Sequence, residues 1–234
     1  MLKFVATVLS ESIRDLIFAL KKQWLLFTIL FFLSTFTDQY FIWLEGEAGT
    51  DQTLRVMAVL GQAFMSLIYF LVFMQALPGW LYAQRRNQKE FKISKEIMEK
   101  SIPIITENLR AFMKILVGLL FFILPGLIRW IDYALVPYVV CLNPNYEKDP
   151  FDALKASKLL IKGFRWTFLI FLVIDTGLYF IFDGATRKWP IPQDPLLGAL
   201  WELFNFTYTL WSYSFTFAIY WNLLKKQENH EATI

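Results

Sequence analysis

The chain has 234 residues, 56 % of them apolar, 18 % aromatic and only 18 % charged, with a mean hydropathy of +0.43 and a formal net charge of +3. Soluble domains carry about a quarter charged residues, so this much apolar sequence gathered into long runs excludes a water-soluble particle and reads as an all-α, polytopic membrane protein. One Cys (Cys141) and one His (His230) exclude a disulfide framework, a zinc-finger pattern and an imidazole-based or metal-binding site within the bundle, and the small net charge offers no basic surface for nucleic acid.

In chain order, Leu2, Val5, Leu9, Ile13, Leu16 and Leu20 recur at helical spacing, with Lys3, Glu11, Arg14 and Asp15 on other faces, which predicts an amphipathic interfacial helix. A bilayer core about 30 Å thick takes roughly 20 helical residues. Gln23 to Leu44 and Val56 to Leu77 meet that demand. Phe91 to Leu109 repeats the amphipathic scheme, with Ile93, Ile97, Ile104 and Ile105 opposite Lys92, Lys95 and Lys100, and Pro103 is expected to break or kink it.

Phe112 to Leu142 is too long for one upright span, about 46 Å as a helix. A break at Leu124-Pro125-Gly126, where proline lacks a donor and glycine frees the backbone, divides it into two arms of about 15 residues that each reach only about 22 Å. Both arms are then short for ordinary spans. A third amphipathic segment follows, Phe151, Leu154, Leu159, Ile161 and Phe164 against Lys155, Lys158, Lys162 and Arg165, with Asp149 or Asp152 as its cap. Lys162, Gly163 and Trp166 suit a bend from this segment into the span Trp166 to Phe182, with lysine and tryptophan at headgroup level. Leu196 to Leu224 is the last span. The polar tail 227–234 is expected to be disordered, so residues 1–226 form a single helical membrane domain.

Charge decides the path through the membrane, because Lys and Arg collect in cytoplasmic segments. With Phe112 to Leu142 as a hairpin, 19 of the 23 basic residues lie on one side, leaving Arg55, Arg129, Arg187 and Lys188 on the other. A single crossing would move Lys148 to Arg165 and Lys225-Lys226 outward. The expectation is therefore six transmembrane segments, including a short Pro-Gly-broken hairpin, with both termini cytoplasmic. The three basic amphipathic faces either contact anionic headgroups and enforce topology or form a docking collar for a protein partner.

Asp175 lies midway along its span among Ile174, Thr176 and Leu178, where a carboxyl costs about 2.5–3.5 kcal/mol, so it is expected to face the interior. On the last span Glu202, Asn205, Thr209, Ser212 and Thr216 follow at spacings of 3, 4, 3 and 4, one continuous face, and Gln62, Ser66 and Tyr69 form a shorter stripe on the second. Such stripes join helices, line a solvated path or, least often, serve catalysis. Arg129 and Asp132, one turn apart, are expected to pair near the outer surface.

Leu124-Pro125-Gly126, then Tyr133 and Pro137, then Ala153-Leu154-Lys155-Ala156-Ser157, then Lys162-Gly163 and Trp166 form an ordered pattern. It resembles the bacterial integral membrane family related to the membrane domain of glycerophosphoryl diester phosphodiesterases, over about residues 112 to 170. The resemblance implies a six-helix fold in the bacterial inner membrane and no catalytic residues, since catalysis there belongs to a separate soluble domain. The leading expectation is a non-enzymatic accessory or scaffold protein in envelope or lipid homeostasis, without cofactor, contacting membrane lipids. A small transporter or permease-like subunit with a polar cavity comes second, a membrane enzyme third.

Overall fold

A computed structural model describes residues 2–47, 49, 51–87, 93–143, 146, 151–188 and 195–231, with the backbone alone at 2, 38, 42, 45, 175, 178–188, 195–200 and 230–231. Every regular element among them is helical: α1 (Leu2–Lys22), α2 (Trp24–Glu47), α3 (Gln52–Met74), a π-helical turn (Gln75–Gly79), α4 (Trp80–Arg85), α5 (Ile93–Phe121), α6 (Ile123–Tyr133), α7 (Val136–Leu142), α8 (Ala153–Ile161), α9 (Arg165–Lys188) and α10 (Pro195–Glu231). Three stretches among the described residues are long and apolar enough to cross a membrane, Trp24–Phe41, Gln52–Arg85 and Ile123–Leu142.

The core sits at one end of the bundle. The first half of α3 turns Val56, Met57, Leu60 and Phe64 outward, whereas everything from Phe73 to Ala83 is buried, its π-helical turn packed against α5, α7 and α10, whose own buried stretch runs from Leu210 to Leu224. Apolar side chains facing outward suit an apolar surrounding, in keeping with helices long and apolar enough to cross a membrane. Gln75 is fully buried in the π-helical turn, where its Nε2 donates to Ser101 Oγ at 3.0 Å and ties this turn to α5.

α1 lies across α10 and is not simply divided between lipid and water. Leu9, Ile13 and Ile17 form an exposed apolar strip, and the face turned onto α10 carries Val8, Ser12, Asp15, Leu16 and Ala19. The sequence pattern assigns Asp15 to the solvent side. Its burial is explained by a partner that lies 70 residues away, Arg85.

Of the break or kink expected at Pro103, the break is absent, since α5 runs through it. Two further expectations change. The reversal between α5 and α6 falls at Phe122, whose φ of −159° and ψ of 142° are extended, and not at Pro125-Gly126. The first backbone hydrogen bond of α6 is Gly126 N–H to Phe122 O at 3.4 Å, so Pro125 occupies the first turn, where no donor is required. Moving the break lengthens the second arm, which runs from Ile123 to Leu142 and has 20 residues, enough for a span. Finally, α10 continues to Glu231, so 227–231 are helical where a disordered tail is expected. The Arg86–Glu228 ion pair holds that extension against the end of α4.

Gly126 has its place for another reason. α5 and α6 pack so closely that a β-carbon on Gly118 would fall 2.9 Å from Gly126 Cα, and one on Gly126 would collide with Leu119. Backbone atoms cannot step aside. Gly118→Val is expected to wedge the two helices apart at a cost of about 1–3 kcal/mol, measured by thermal unfolding in detergent; unchanged stability would show that the helices do not meet there.

Candidate functional site

The polar stripes of α3 and α10 meet. Glu202, Asn205 and Thr209 from α10, Ser66 and Tyr69 from α3, and Ser34 and Thr35 from α2 line a cavity of about 250 Å³, with Phe70, Phe73, Phe206 and Tyr213 as its apolar walls. Helical spacing explains why α10 contributes residues three and four apart. Its rim is tied together: Tyr69 donates from its hydroxyl to Leu33 O at 3.0 Å and lies 2.7 Å from the Thr37 hydroxyl, and Gln39 Nε2 donates to Glu202 Oε1 at 3.4 Å.

Much of the remaining stripe is bonded within its own helix. Thr209 donates to Asn205 O at 2.9 Å and Thr216 to Ser212 O at 3.0 Å, the backward bonds that let hydroxyls sit on a helix without a partner helix. Ser212 is half-buried and does not line the cavity. Asp175 belongs to α9, and its side chain lies outside the described residues. Among the described residues Glu202 is the one carboxylate lining this cavity, and no group of three His, Cys, Asp or Glu is placed to hold a metal ion.

The residues of the predicted bend occupy successive positions. Asp152 is the N-cap of α8, its carboxylate accepting from Leu154 N–H at 3.1 Å and Lys155 N–H at 3.4 Å. Lys155 is exposed on α8, Lys162 is the C-cap, Gly163 takes φ +94° in the left-handed region, and Trp166 opens α9 with 78 % of its surface exposed. Glycine is what allows that φ without strain.

Two charge clusters escape sequence reasoning. At the foot of α10, Arg85 pairs with Asp15 and, at 3.4 Å, with Glu11, and lies over the rings of Phe217 and Trp221 at 5.2 and 5.3 Å; Asn222 Nδ2 donates to Glu11 Oε2 at 3.0 Å. Burial pushes the Asp15 carboxyl above the usual carboxylate range, and Arg85 pulls the other way. The only sequence signal is the spacing of Glu11 and Asp15, one turn apart beside Ser12.

The second cluster corrects a predicted pair. Asp132, only 3 % exposed, accepts two bonds from Arg165, Nε to Oδ1 at 2.6 Å and Nη2 to Oδ2 at 2.8 Å, and its backbone carbonyl accepts from Ser157 at 2.7 Å. Arg129 turns away to donate to Lys114 O at 2.7 Å. Arg165 faces the Asp132 carboxylate and forms two parallel bonds with it, whereas Arg129, equally a guanidinium, is taken up by a carbonyl of α5.

Fold and site thus define an all-helical protein with helices suited to a membrane, internally joined by ion pairs. Compared with known proteins, the chain matches no family model, no curated protein and no solved structure.

Proposed function

We propose that the chain is a non-enzymatic accessory or scaffold protein with six membrane segments, α2, α3, the hairpin arms of α5 and α6–α7, α9 and α10, and with both termini on the basic, cytoplasmic side. One observation carries this reading: the buried charges join helices. Arg85 links α4 to α1, and Arg165 links the start of α9 to α6. Neither pair lines the polar cavity. Proton transfer needs a titratable group within reach of a reacting atom, and charges locked in ion pairs serve position.

The exposed Lys155, Lys158 and Lys162 on α8 and Lys226 on α10 supply a basic face for a protein partner or for anionic headgroups. An open cleft of about 750 Å³ lies between the α8–α9 bend and the end of α10, with Lys162 and Lys226 at its edges. Placement in a bacterial inner membrane, and a role in envelope or lipid homeostasis, rest on the family resemblance of residues 112 to 170. A second reading, a small transporter or permease-like subunit, is favoured by the cavity that Glu202 lines.

Purification in mild detergent with mass spectrometry of co-purifying proteins, beside cellular complementation by Glu202→Gln, separates the two. Glutamine keeps the shape and the bond to Gln39 while removing titration. A scaffold is expected to bring down a stoichiometric protein partner and to tolerate Glu202→Gln within twofold of the parent. Failed complementation by a normally stable Glu202→Gln protein would overturn the scaffold reading in favour of transport.

A further inference from the structure

The side chains that α2, α3 and α10 bring to the Glu202 cavity are of one chemical kind. Ser34 Oγ donates to Phe31 O at 3.0 Å, Tyr69 Oη to Leu33 O at 3.0 Å and Thr209 Oγ1 to Asn205 O at 2.9 Å, and all three hydroxyls line the cavity. A hydroxyl has one proton and two lone pairs, so these three have only lone pairs left for a guest. The Glu202 carboxylate likewise only accepts. Thr35, Ser66 and Asn205 can still donate, but none of them is charged.

The backbone adds no donors. Every described residue lining the cavity lies beyond the first turn of its helix, where N–H groups are already bonded to the carbonyl one turn back. Among the described residues no Lys, Arg or His lines it. An anion would meet a carboxylate and lone pairs there, whereas a cation that carries N–H groups finds acceptors for them.

The walls add a second preference. Phe73 meets Phe206, Tyr213 and Tyr69 with ring centroids 5.6, 6.2 and 6.2 Å away, and Phe70 meets Tyr213 at 6.4 Å, so the five rings that line the cavity form one connected patch. Aromatic rings attract organic cations through their quadrupole. They also shelter carbon atoms, which a bare inorganic ion does not have. At about 30 Å³ for each water, a cavity of about 250 Å³ holds about eight, which sets the guest at roughly that many non-hydrogen atoms or fewer.

We infer that the Glu202 cavity is a binding site for one small alkylammonium ion, its N–H groups on Glu202 and the hydroxyl oxygens, its carbons against Phe73, Phe206 and Tyr213. This rests on the second reading of the function, in which the cavity takes up a ligand, and not on passage of that ligand through the membrane.

The test is equilibrium dialysis of the full-length protein in mild detergent against radiolabelled butylammonium, at constant ionic strength and near neutral pH. One butylammonium per chain is expected, displaced by unlabelled butylammonium at concentrations at least tenfold lower than by sodium or butyrate. Glu202→Gln should weaken binding at least tenfold and Phe206→Leu about threefold to tenfold, both with unfolding temperatures close to the parent's. No retained butylammonium, displacement by sodium or butyrate as effective as by butylammonium itself, or undiminished binding in Glu202→Gln would overturn the site. Binding is counted on isolated protein, and so separates from the cellular experiment. Binding together with full complementation by Glu202→Gln supports both the site and the scaffold; no binding together with failed complementation overturns the site and leaves the transport reading standing.

Discussion

Arg85→Ala is expected to destabilise the protein by about 3–5 kcal/mol, the cost of leaving a buried ion pair with one partner. Asp15 is 7 % exposed, so removal of the guanidinium strands its carboxylate against α10 and leaves Glu11, one turn away, with Asn222. It also removes a cation from above Phe217 and Trp221. The loss should depend on pH with a definite sign. Burial already raises the Asp15 carboxyl above its unfolded value, and without Arg85 the opposing pull is gone. A raised acid binds its proton more tightly in the folded state, so the variant gains stability as pH falls through the raised value and loses it as pH rises. Thermal unfolding in detergent at pH 8 and pH 5 measures this. Asp15→Asn in the Arg85→Ala background should recover at least about 1 kcal/mol at pH 8. A single variant as stable as the parent at pH 8 would refute the role of this node.

Arg165→Ala should cost about 3 kcal/mol, the low end for a broken buried pair, because the guanidinium keeps 38 % of its side-chain surface exposed while Asp132 keeps 5 %. Water reaches one partner and not the other. Arg165→Lys keeps the charge and loses the fork, so it should recover only part of the loss. In a double-mutant cycle, Asp132→Ala with Arg165→Ala is expected to be more stable than the sum of the single changes predicts, by about 1–3 kcal/mol. Additive single effects would show that the two side chains do not act as a pair.

These two nodes also mark what the sequence can and cannot disclose. Spans such as α2 and α3, and the polar stripes of α3 and α10, are periodic within one helix, and a local pattern reveals them without knowledge of the partner. That Glu202, Asn205 and Thr209 share a cavity with Ser66 and Tyr69 is legible to that extent. Ser34 and Thr35 are not, because two adjacent hydroxyls in an apolar helix form no stripe. Ion pairs fail differently. Arg129 and Asp132 have the right local spacing, yet the arginine that bonds Asp132 is 33 residues away, and Arg129 bonds a carbonyl of α5 instead. Proline misleads at the hairpin because Leu124-Pro125-Gly126 looks like an ending, whereas a proline in a first turn belongs to a beginning.

The seating of α1 on the end of α10 has a consequence for how the protein is made. Ser214 donates to Ser12 O across 202 residues, and Asn222 to Glu11 across 211. At about 5–20 residues per second, the ribosome finishes the receiving helix about 10–40 s after the first one has emerged. During that interval Ser12, Asp15 and Glu11 have no α10 to rest on. An apolar strip of Leu9, Ile13 and Ile17 lets α1 wait on the membrane surface with its polar face in water. The last helix then takes up the polar face of α1 while the apolar strip stays outward, and a chain cut short before Ser214 would leave Ser12 and Glu11 without those partners.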